Sequence, residues 1–293
     1  MTLGYERPGT LGEAFELLGR PGALPMAGGT DLAGQIDRGI VEPSLVVDLQ
    51  GLGLDAIEPA PGGGVAIGAA VTLAALGASE LIAPYGALAS AAGLAASPPL
   101  RNVGTVGGNI CQRTRCWYFR GEEWHCWLGG GDTCYAQIGD HRKHNLRPGD
   151  CISAHPSDLA PALAACGARV TIAAADGTRE LELLDLYRTP TEEDRSLLVL
   201  APGEIVSGVL LPAPPQASAY ERLGERQAFS FALAAVAAAR RDGELRVIAG
   251  GVANIPVALD PADPLATLPG NPQTMWKRTV LATLVERAVA ALG

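Results

Sequence analysis

The sequence lacks an apolar run long enough to cross a membrane, because no segment approaches 18 uninterrupted apolar residues. The first seven residues contain neither the basic start nor the apolar stretch of a signal peptide. Basic residues are outnumbered, with 22 Lys and Arg against 31 Asp and Glu and a net charge of −9, so the electrostatic footprint of a protein that binds nucleic acid or an anionic membrane is missing. We therefore expect a soluble, cytoplasmic protein without a nucleic-acid or membrane partner.

The chain also lacks the residue sets of a self-sufficient active site for a carbon substrate. No Ser/His/Asp arrangement can be assembled, and no pair of carboxylates stands out. The four histidines are confined to one region of the chain. We therefore expect a bound cofactor to supply the chemistry, with the protein positioning it.

What the chain does have is enough apolar sequence for one large domain or two modest ones: 293 residues, of which 48% are hydrophobic. Apolar spacing predicts alternating helices and strands of α/β type, and the prolines at 212, 214 and 215 mark the clearest domain boundary. The predicted helices are residues 11–18, a stretch from 32, 72–80, 86–96, 158–166, an alanine-rich 228–241 and 275–292. The predicted strands are residues 44–49, 65–69, 169–174 and 245–252.

A glycine-rich turn, AGGTDL, occupies residues 27–32 after a short apolar run. Consecutive glycines let the backbone approach a bound group with its N–H groups converging on an anion. Thr30 adds a hydroxyl, and a helix beginning near Leu32 points its positive end at the same place. Asp31 has two possible uses, as a helix cap or as the partner of a ribose or ribityl hydroxyl. The alternative for the whole segment is an ordinary tight turn.

A second turn, RNVGTVGGN at residues 101–109, repeats this chemistry with Thr105, two consecutive glycines and Asn109. Two such turns in one chain suit a pyrophosphate, which needs donors from two sides and no Cβ atoms in the way. Neither turn is GxGxxG or GxxxxGK[ST], so a standard Rossmann fingerprint and a P-loop are both absent.

Together the two turns resemble the signature of the FAD-binding medium subunit of the molybdenum hydroxylases, the family of carbon monoxide dehydrogenase, xanthine dehydrogenase and aldehyde oxidoreductases. One departure is Ala258, where the family often carries a basic residue. The resemblance covers nearly the whole chain, because further matching stretches occur in the family's order: YxRPxTLxEAxxLL at the start, IGAAVTLAAL at 67–76, HPSDLAPAL at 155–163, LAPGEIVSGVLLP at 200–212 and GGVANIPVAL at 250–259.

The resemblance implies an α/β (α+β) fold with a bipartite FAD-binding domain, residues 1–58 and 59–213, and a smaller C-terminal α/β domain, residues 216–293. Asp158 of the SDL motif would lie near the ribityl and adenosine portion of FAD, with a helix cap as the alternative. The residues that would hold the pyrophosphate of FAD are Met26, Ala27, Gly28, Gly29, Thr30, Asp31 and Leu32 in the first turn, and Gly104, Thr105, Gly108 and Asn109 in the second.

The cysteines are unusually concentrated, because five of the six fall within residues 111–151. In a cytoplasmic protein such a concentration indicates metal or redox chemistry. Four cysteines are the usual ligand set of a [4Fe–4S] cluster. The stretch QRTRCWYFR followed by spaced cysteines resembles the subset of flavin subunits with an extra [4Fe–4S] cluster, as in periplasmic-type aldehyde oxidoreductases and 4-hydroxybenzoyl-CoA reductase. The ligands implied are Cys116, Cys126, Cys134 and Cys151.

Other uses of this segment stay open at this point. A four-cysteine zinc site is one alternative, although the sequence has no CxxC pair, and free thiols are another. We expect Cys111 and Cys166 to be core residues and the histidines to be polar loop residues, with His125, next to Cys126, as the one histidine to test as a ligand. The arginines at 113, 115 and 120 suit either hydrogen bonds around the cluster or loop packing.

The resemblance implies an FAD-dependent oxidoreductase that serves as an electron-transfer subunit. Its partners would be a molybdopterin-binding large subunit that oxidises an aldehyde or an N-heterocycle and a small subunit with [2Fe–2S] clusters. The acceptor would be NAD, oxygen, a quinone or a carrier protein. The alternatives are a free-standing FAD and iron–sulfur oxidoreductase of a biosynthetic pathway, and a scaffold whose cofactor sites have decayed.

Overall fold

The computed structural model describes residues 3–226 and 229–293. The chain begins with a small unit built on a parallel sheet of order β1-β3-β2. Thr10 caps helix α1, because its hydroxyl accepts from the N–H of Glu13. The predicted sequence of helix, strand, glycine turn, helix and strand is confirmed. Its elements are β1 (Gly4–Glu6), α1 (Leu11–Leu18), β2 (Ala23–Met26), α2 (Leu32–Asp37) and β3 (Leu45–Asp48).

The middle of the chain forms a five-stranded antiparallel sheet with the order β4-β5-β8-β6-β7. Its strands are β4 (Ile57–Ala60), β5 (Gly64–Gly68), β6 (Arg169–Ala174), β7 (Gly177–Glu182) and β8 (Ile205–Leu211). Seven helices lie between β5 and β6 in the chain, and the apolar members pack on the sheet to form the largest core. These helices are α3 (Leu73–Ala78), α4 (Gly86–Leu94), α5 (Pro98–Arg101), α6 (Val106–Ile110), α7 (Trp117–Arg120), α8 (Tyr135–Ile138) and α9 (Leu159–Ala165).

The last part of the chain forms a four-stranded antiparallel sheet, order β12-β11-β10-β9, with the C-terminal helix on one face. Its elements are β9 (Ala217–Gly224), β10 (Ala232–Arg241), β11 (Glu244–Gly250), β12 (Val257–Leu259) and α10 (Met275–Ala290). No helix among the described residues is both long and apolar enough to span a membrane. The division of the chain into domains stays a prediction.

The alanine-rich helix predicted over residues 228–241 is wrong, because the described part of it is strand β10; residue 228 itself lies outside the described residues. Alternate side chains of this strand enter two different cores: Ala235 and Ala237 pack with α4 and α9, whereas Ala234 and Val236 pack with α10. A strand that is covered on both faces has a continuous apolar run in its sequence, without alternation. Because alanine has a high helix propensity, such a run resembles a helix in the sequence. Small side chains here let helices approach the sheet from both sides.

The cysteine-rich segment, residues 111–151, contains little regular structure. It is held between the first unit, the loop before α9 and the C-terminal helix by hydrogen bonds with each. Its own apolar centre is a small cluster that includes Phe119, Trp127 and Leu128.

Candidate functional site

The two glycine turns predicted from the sequence lie against each other. The first begins where β2 ends at Met26, and the second follows the short helix α5. A Cβ added to Gly28 would overlap the carbonyl oxygen of Val103, and one added to Gly104 would lie 3.4 Å from Oγ1 of Thr30. Because the approach at Gly28 leaves no room for a side chain, the first turn needs glycine where it meets the second.

The first turn exposes a row of backbone donors. Within the described residues, the N–H groups of residues 28–32 have no hydrogen-bond acceptor in the protein. Gly29 has a φ of +67°, the left-handed conformation found where successive amides converge on an anion. The carbonyl of Ala27 is fixed by the side chain of Gln50, whose Nε2 donates to it at 3.3 Å. The turn therefore offers several unpaired donors from a backbone held in place.

Most backbone N–H groups of the second turn already donate to acceptors within the protein. Only the first turn therefore offers the unpaired amides that were predicted for both turns. Thr105 caps α6, and its Oγ1 accepts from the N–H of Gly108 at 3.2 Å. Neighbouring N–H groups of the turn donate to backbone carbonyls at 2.8–2.9 Å. Asn109 uses Oδ1 to accept from the hydroxyl of Ser157 at 2.6 Å. To the candidate site, the second turn contributes its backbone surface, the hydroxyl group of Thr105 and the exposed Gly108.

Asp158 does not cap helix α9, which excludes the alternative raised for it. The hydroxyl of Ser157 is the cap, because it accepts from the N–H of Ala160 at 2.9 Å. The buried carboxylate of Asp158 instead accepts from the hydroxyl of Tyr220 at 2.6 Å and lies 3.5 Å from the guanidinium of Arg222. Burial raises the pKa of Asp158, and the Arg222 charge opposes that rise.

Asp31 joins the first glycine turn to the cysteine-rich segment. Its Oδ1 accepts from the guanidinium of Arg120 at 2.8 Å and forms an ion pair with the guanidinium of Arg115 at 2.9 Å. Its Oδ2 accepts from the backbone N–H of Arg113 and from the side chain of Gln35, both at 3.0 Å. Although Asp31 occupies the cap position of α2, its side chain does not cap that helix. Protein donors thus occupy both oxygens of this carboxylate.

Positive charge exceeds negative charge around this carboxylate. Two arginine side chains, Arg115 and Arg120, pair with one Asp31, and the guanidinium of Arg113 lies over the ring of Phe119 close by; none of the three arginines is an exposed residue. Burial lowers the pKa of the Arg115 guanidinium to about 10, an effect that the Asp31 charge opposes. An excess of buried cations beside unpaired amides is an environment that favours an anion.

A cavity of about 360 Å³ lies near the glycine turns, within the size range of small-molecule sites. Residues 27–32 and 101–109 do not line it, but two of its lining residues contact the turns: Leu100, whose carbonyl accepts from the N–H of Gly104 at 2.7 Å, and Arg115, which forms an ion pair with Asp31. The guanidinium of Arg115 also lies 4.6 Å from the ring centre of Phe231 on the opposite wall. The remaining wall comes from the cysteine-rich segment, the residues just before the SDL motif and the loop that precedes β10.

Two histidines line this cavity and are buried, so the prediction that the histidines are polar loop residues is wrong for them. His144 is 3% exposed and His155 is 4% exposed. Neither ring nitrogen of His155 has a hydrogen-bond partner among the described residues, and its ring packs edge-on against Tyr187 at 4.8 Å. Burial lowers the pKa of each imidazole to about 4, so both are neutral at pH 7. By contrast His125, the histidine singled out from the sequence, is exposed.

The four cysteines predicted as cluster ligands line one small apolar cavity of about 10 Å³. Three of them sit immediately before a short helical turn: Cys116 before α7, Cys126 before residues 127–129 and Cys134 before α8. Burial raises the pKa of Cys116 to about 11 and also raises that of Cys126, and the backbone N–H groups of the following turns oppose this rise. The thiol of Cys151 donates to the hydroxyl of Ser153 at 3.3 Å, and its interaction with Cys134 lowers the pKa of Cys134 to about 5 and raises that of Cys151.

The other two cysteines are core residues, as predicted. Cys166 is fully buried in the largest core, and Cys111 packs against the same core. Among residues 3–226 and 229–293, no three His, Cys, Asp or Glu side chains are placed to hold a single metal ion. A [4Fe–4S] cluster places one thiolate on each of four irons, so it spreads its ligands around a larger centre.

We expect Asp31→Asn to lower the free energy of unfolding by about 3 kcal/mol, because it leaves buried guanidinium groups without a charge partner. Urea denaturation of the purified protein measures this loss. Asp37→Asn is the matched control, since Asp37 is exposed on the same helix, and a change within about 0.5 kcal/mol is expected there. Equal stability of the two variants would contradict the role given to Asp31.

The buried His155 predicts a loss of stability in acid. The unfolded chain binds a proton at this residue below its ordinary pKa of 6.5, whereas the folded protein resists protonation until the pH reaches about 4. The stability present above pH 6.5 is therefore lost as the pH falls to about 4, by about 3 kcal/mol. His155→Leu is expected to lose correspondingly less over this range in urea titrations, and His125→Gln to behave as the wild type. An identical pH dependence in His155→Leu would contradict this assignment.

Comparison with known proteins identifies the family. A family model described as the FAD-binding domain in molybdopterin dehydrogenase matches residues 1–214. The aldehyde oxidoreductase FAD-binding subunit PaoB of Escherichia coli (strain K12) is 39% identical over 267 residues, which cover 88% of this chain and 84% of that protein. The carbon monoxide dehydrogenase medium chain of Afipia carboxidovorans is 28% identical over 239 residues, covering 80% of this chain and 67% of that protein.

Solved structures confirm the predicted mixed helix-and-sheet fold. A chain of reconstituted CO dehydrogenase from Oligotropha carboxidovorans superposes with a TM-score of 0.73 at 23% identity, covering 100% of this chain and 98% of that one. A chain of quinoline 2-oxidoreductase from Pseudomonas putida 86 gives a TM-score of 0.71 at 19% identity, covering 100% and 97%. The family model covers well over half of the chain, and the Escherichia coli relative is similar along most of its length. The chain therefore belongs to the family of FAD-binding domains of the molybdopterin dehydrogenases, a family of oxidoreductase flavoproteins.

Proposed function

We propose that the protein is the FAD-containing electron-transfer subunit of a molybdenum-dependent dehydrogenase. Its partners are a large molybdopterin-binding subunit that oxidises an aldehyde or an N-heterocycle and a small subunit with [2Fe–2S] clusters. The name of the Escherichia coli relative favours an aldehyde. FAD, when bound, supplies the redox chemistry that connects iron–sulfur centres to an acceptor such as NAD, oxygen, a quinone or a carrier protein.

The observation that carries this proposal is the meeting of the two glycine turns beside a surplus of arginine. The unpaired N–H groups of residues 28–32 and the hydroxyl of Thr105 supply donors, and Gly108 leaves the surface open. Arg113, Arg115 and Arg120 make the surroundings positive although the whole chain carries a net charge of −9. This combination supports a pyrophosphate at the predicted residues.

The nearby cavity of about 360 Å³ supports a place for a flat ring of the dinucleotide. Its wall area is mostly apolar, and its polar lining side chains include the neutral His155 together with Arg115, Lys143, Glu225 and Arg226. Asp158 takes part indirectly in this proposal. It is paired with Arg222, which also donates to the carbonyls of Leu94 and Ser230 and so fixes the loop that forms one wall.

The four cysteines around the small cavity support the second cofactor, a [4Fe–4S] cluster. The donor set fits this group, because four cysteine side chains from separate parts of the segment face one apolar space. The cluster is larger than the cavity, so its assembly requires the four side chains to move apart. Few regular elements restrain the segment that carries them, which allows such a movement.

Purification of the tagged protein from its native host, under anaerobic conditions, tests the proposed function. The expected result is a complex of three different chains that contains molybdenum, FAD, iron and sulfide. A chain that is purified alone, with FAD but without molybdenum, would instead indicate a free-standing flavoenzyme. A protein that contains neither FAD nor iron would indicate that the cofactor sites have decayed.

Gly108→Val is expected to lose at least nine-tenths of the bound FAD, measured as flavin absorbance per protein after gel filtration. Within 4 Å, a Cβ at Gly108 meets only the Thr105 hydroxyl, at 3.0 Å, so the added side chain fills space proposed for phosphate rather than space filled by protein. The matched control is Gly12→Val, at an exposed helical glycine near the capping Thr10. Full flavin content in Gly108→Val would contradict the site.

Cys126→Ser is expected to remove iron, sulfide and the broad visible absorbance of the cluster while the flavin bands persist, because Cys126 does not belong to the glycine turns. Iron and sulfide analysis of anaerobically prepared protein measures this effect. Cys166→Ala, in the core behind the sheet, is the control that retains the cluster. Wild-type protein without iron would refute the cluster but not the FAD site.

A further inference from the structure

Cys116 separates the small cavity between the four cysteines from the larger cavity near the glycine turns. Of the residues that line them, only Cys116 is common to both cavities. The other three cysteines face the small cavity alone. Cys116 is therefore the predicted ligand that lies nearest to whatever occupies the larger cavity.

The side chain of His144 contacts Cys116. Its Nε2 lies 3.2 Å from the sulfur of Cys116, and its ring packs edge-on against Trp117 with 4.7 Å between ring centres. The backbone of His144 is fixed from the other side, because its carbonyl accepts from the buried ammonium group of Lys277 at 2.7 Å. The imidazole is itself 3% exposed and lines the larger cavity. It has little freedom to leave Cys116.

A neutral imidazole has one N–H, so the contact with sulfur decides which nitrogen carries it. A cluster-bound Cys116 is a thiolate, which accepts but cannot donate, and Nε2 must then be the donor. The other nitrogen, Nδ1, has no partner among the described residues, as expected for a nitrogen that bears a lone pair and need not donate. The tautomer with the proton on Nε2 satisfies both conditions.

We propose that His144 is a positioning residue of the iron–sulfur cluster, which donates its Nε2–H to the sulfur of Cys116 and thereby raises the reduction potential of the cluster at the wall it shares with the larger cavity. This inference rests on the proposed function, since it takes Cys116 as a ligand. A hydrogen bond to a ligand sulfur stabilises the reduced cluster more than the oxidised one, because the reduced cluster carries more negative charge.

The experiment is a redox titration of the cluster, followed by EPR, in anaerobically purified complex carrying His144→Leu, His144→Gln or no substitution. His144→Leu removes the donor, and at a fixed applied potential the ratio of reduced to oxidised cluster is expected to fall about tenfold, which corresponds to about 59 mV for a one-electron couple. His144→Gln keeps an N–H donor and is expected to recover much of this loss. His125→Gln is the control, because His125 is next to Cys126 in sequence but exposed, and it is expected to leave the potential unchanged.

Several results would overturn the inference. A wild-type potential in His144→Leu would show that the contact does not affect the cluster. An equal shift in His144→Leu and His144→Gln would show that the bulk of the ring matters rather than its N–H. Loss of iron from both variants would show that His144 is needed for assembly instead. The absence of iron from the wild type would refute the proposed cluster itself, which is a different outcome.

Discussion

The Asp31 carboxylate is the interaction on which the arrangement of the site depends. Its residue belongs to the first glycine turn, while three of its four donors come from the start of the cysteine-rich segment, 82 to 89 residues later in the chain. Because the carboxylate is largely shielded from water, the arginines cannot exchange it for solvent without leaving charge unpaired. The turn and the segment therefore adopt their conformations together.

This constraint explains how an inserted segment becomes part of a flavin site. Residues 113–120 stay beside the glycine turns because Asp31 holds them, and residues 114–117 of this stretch form part of the wall of the larger cavity. The backbone oxygens of Arg113 and Thr114 accept from Arg120, so the arginine that binds Asp31 also orders the chain that leads to Cys116. A single buried ion-pair network thus positions both proposed cofactor sites relative to each other.

The sequence was sufficient to predict features that depend on local chemistry. Glycines before a helix predict a turn with open amides, and closely spaced cysteines predict a shared site; the structure brings both turns together and places all four cysteines around one cavity. The sequence was insufficient for features that depend on contacts between residues far apart in the chain. The partners of Asp31 and the burial of His144 and His155 depend on residues far away in the chain, and strand β10 looks helical because alanine favours helices until two layers of helices cover it. The arginines of RTRCWYFR were the one local signal of a buried partner, since side chains of this kind are seldom buried without a carboxylate.

The positions of the polar groups explain why the segment carries both arginine and histidine. Arginine stays charged when buried, as it does here at Arg115 even with a lowered pKa, so it suits the side of the segment that faces the proposed phosphates. Burial makes the imidazoles of His144 and His155 neutral, so they add hydrogen-bonding capacity to the cavity wall without adding charge. Charged side chains lie beside the first glycine turn and elsewhere in the lining of the larger cavity, whereas Cys116, which lines both cavities, has the neutral imidazole of His144 beside it. The hydrogen bond from that imidazole is therefore a direct local influence on a centre bound at the sulfur.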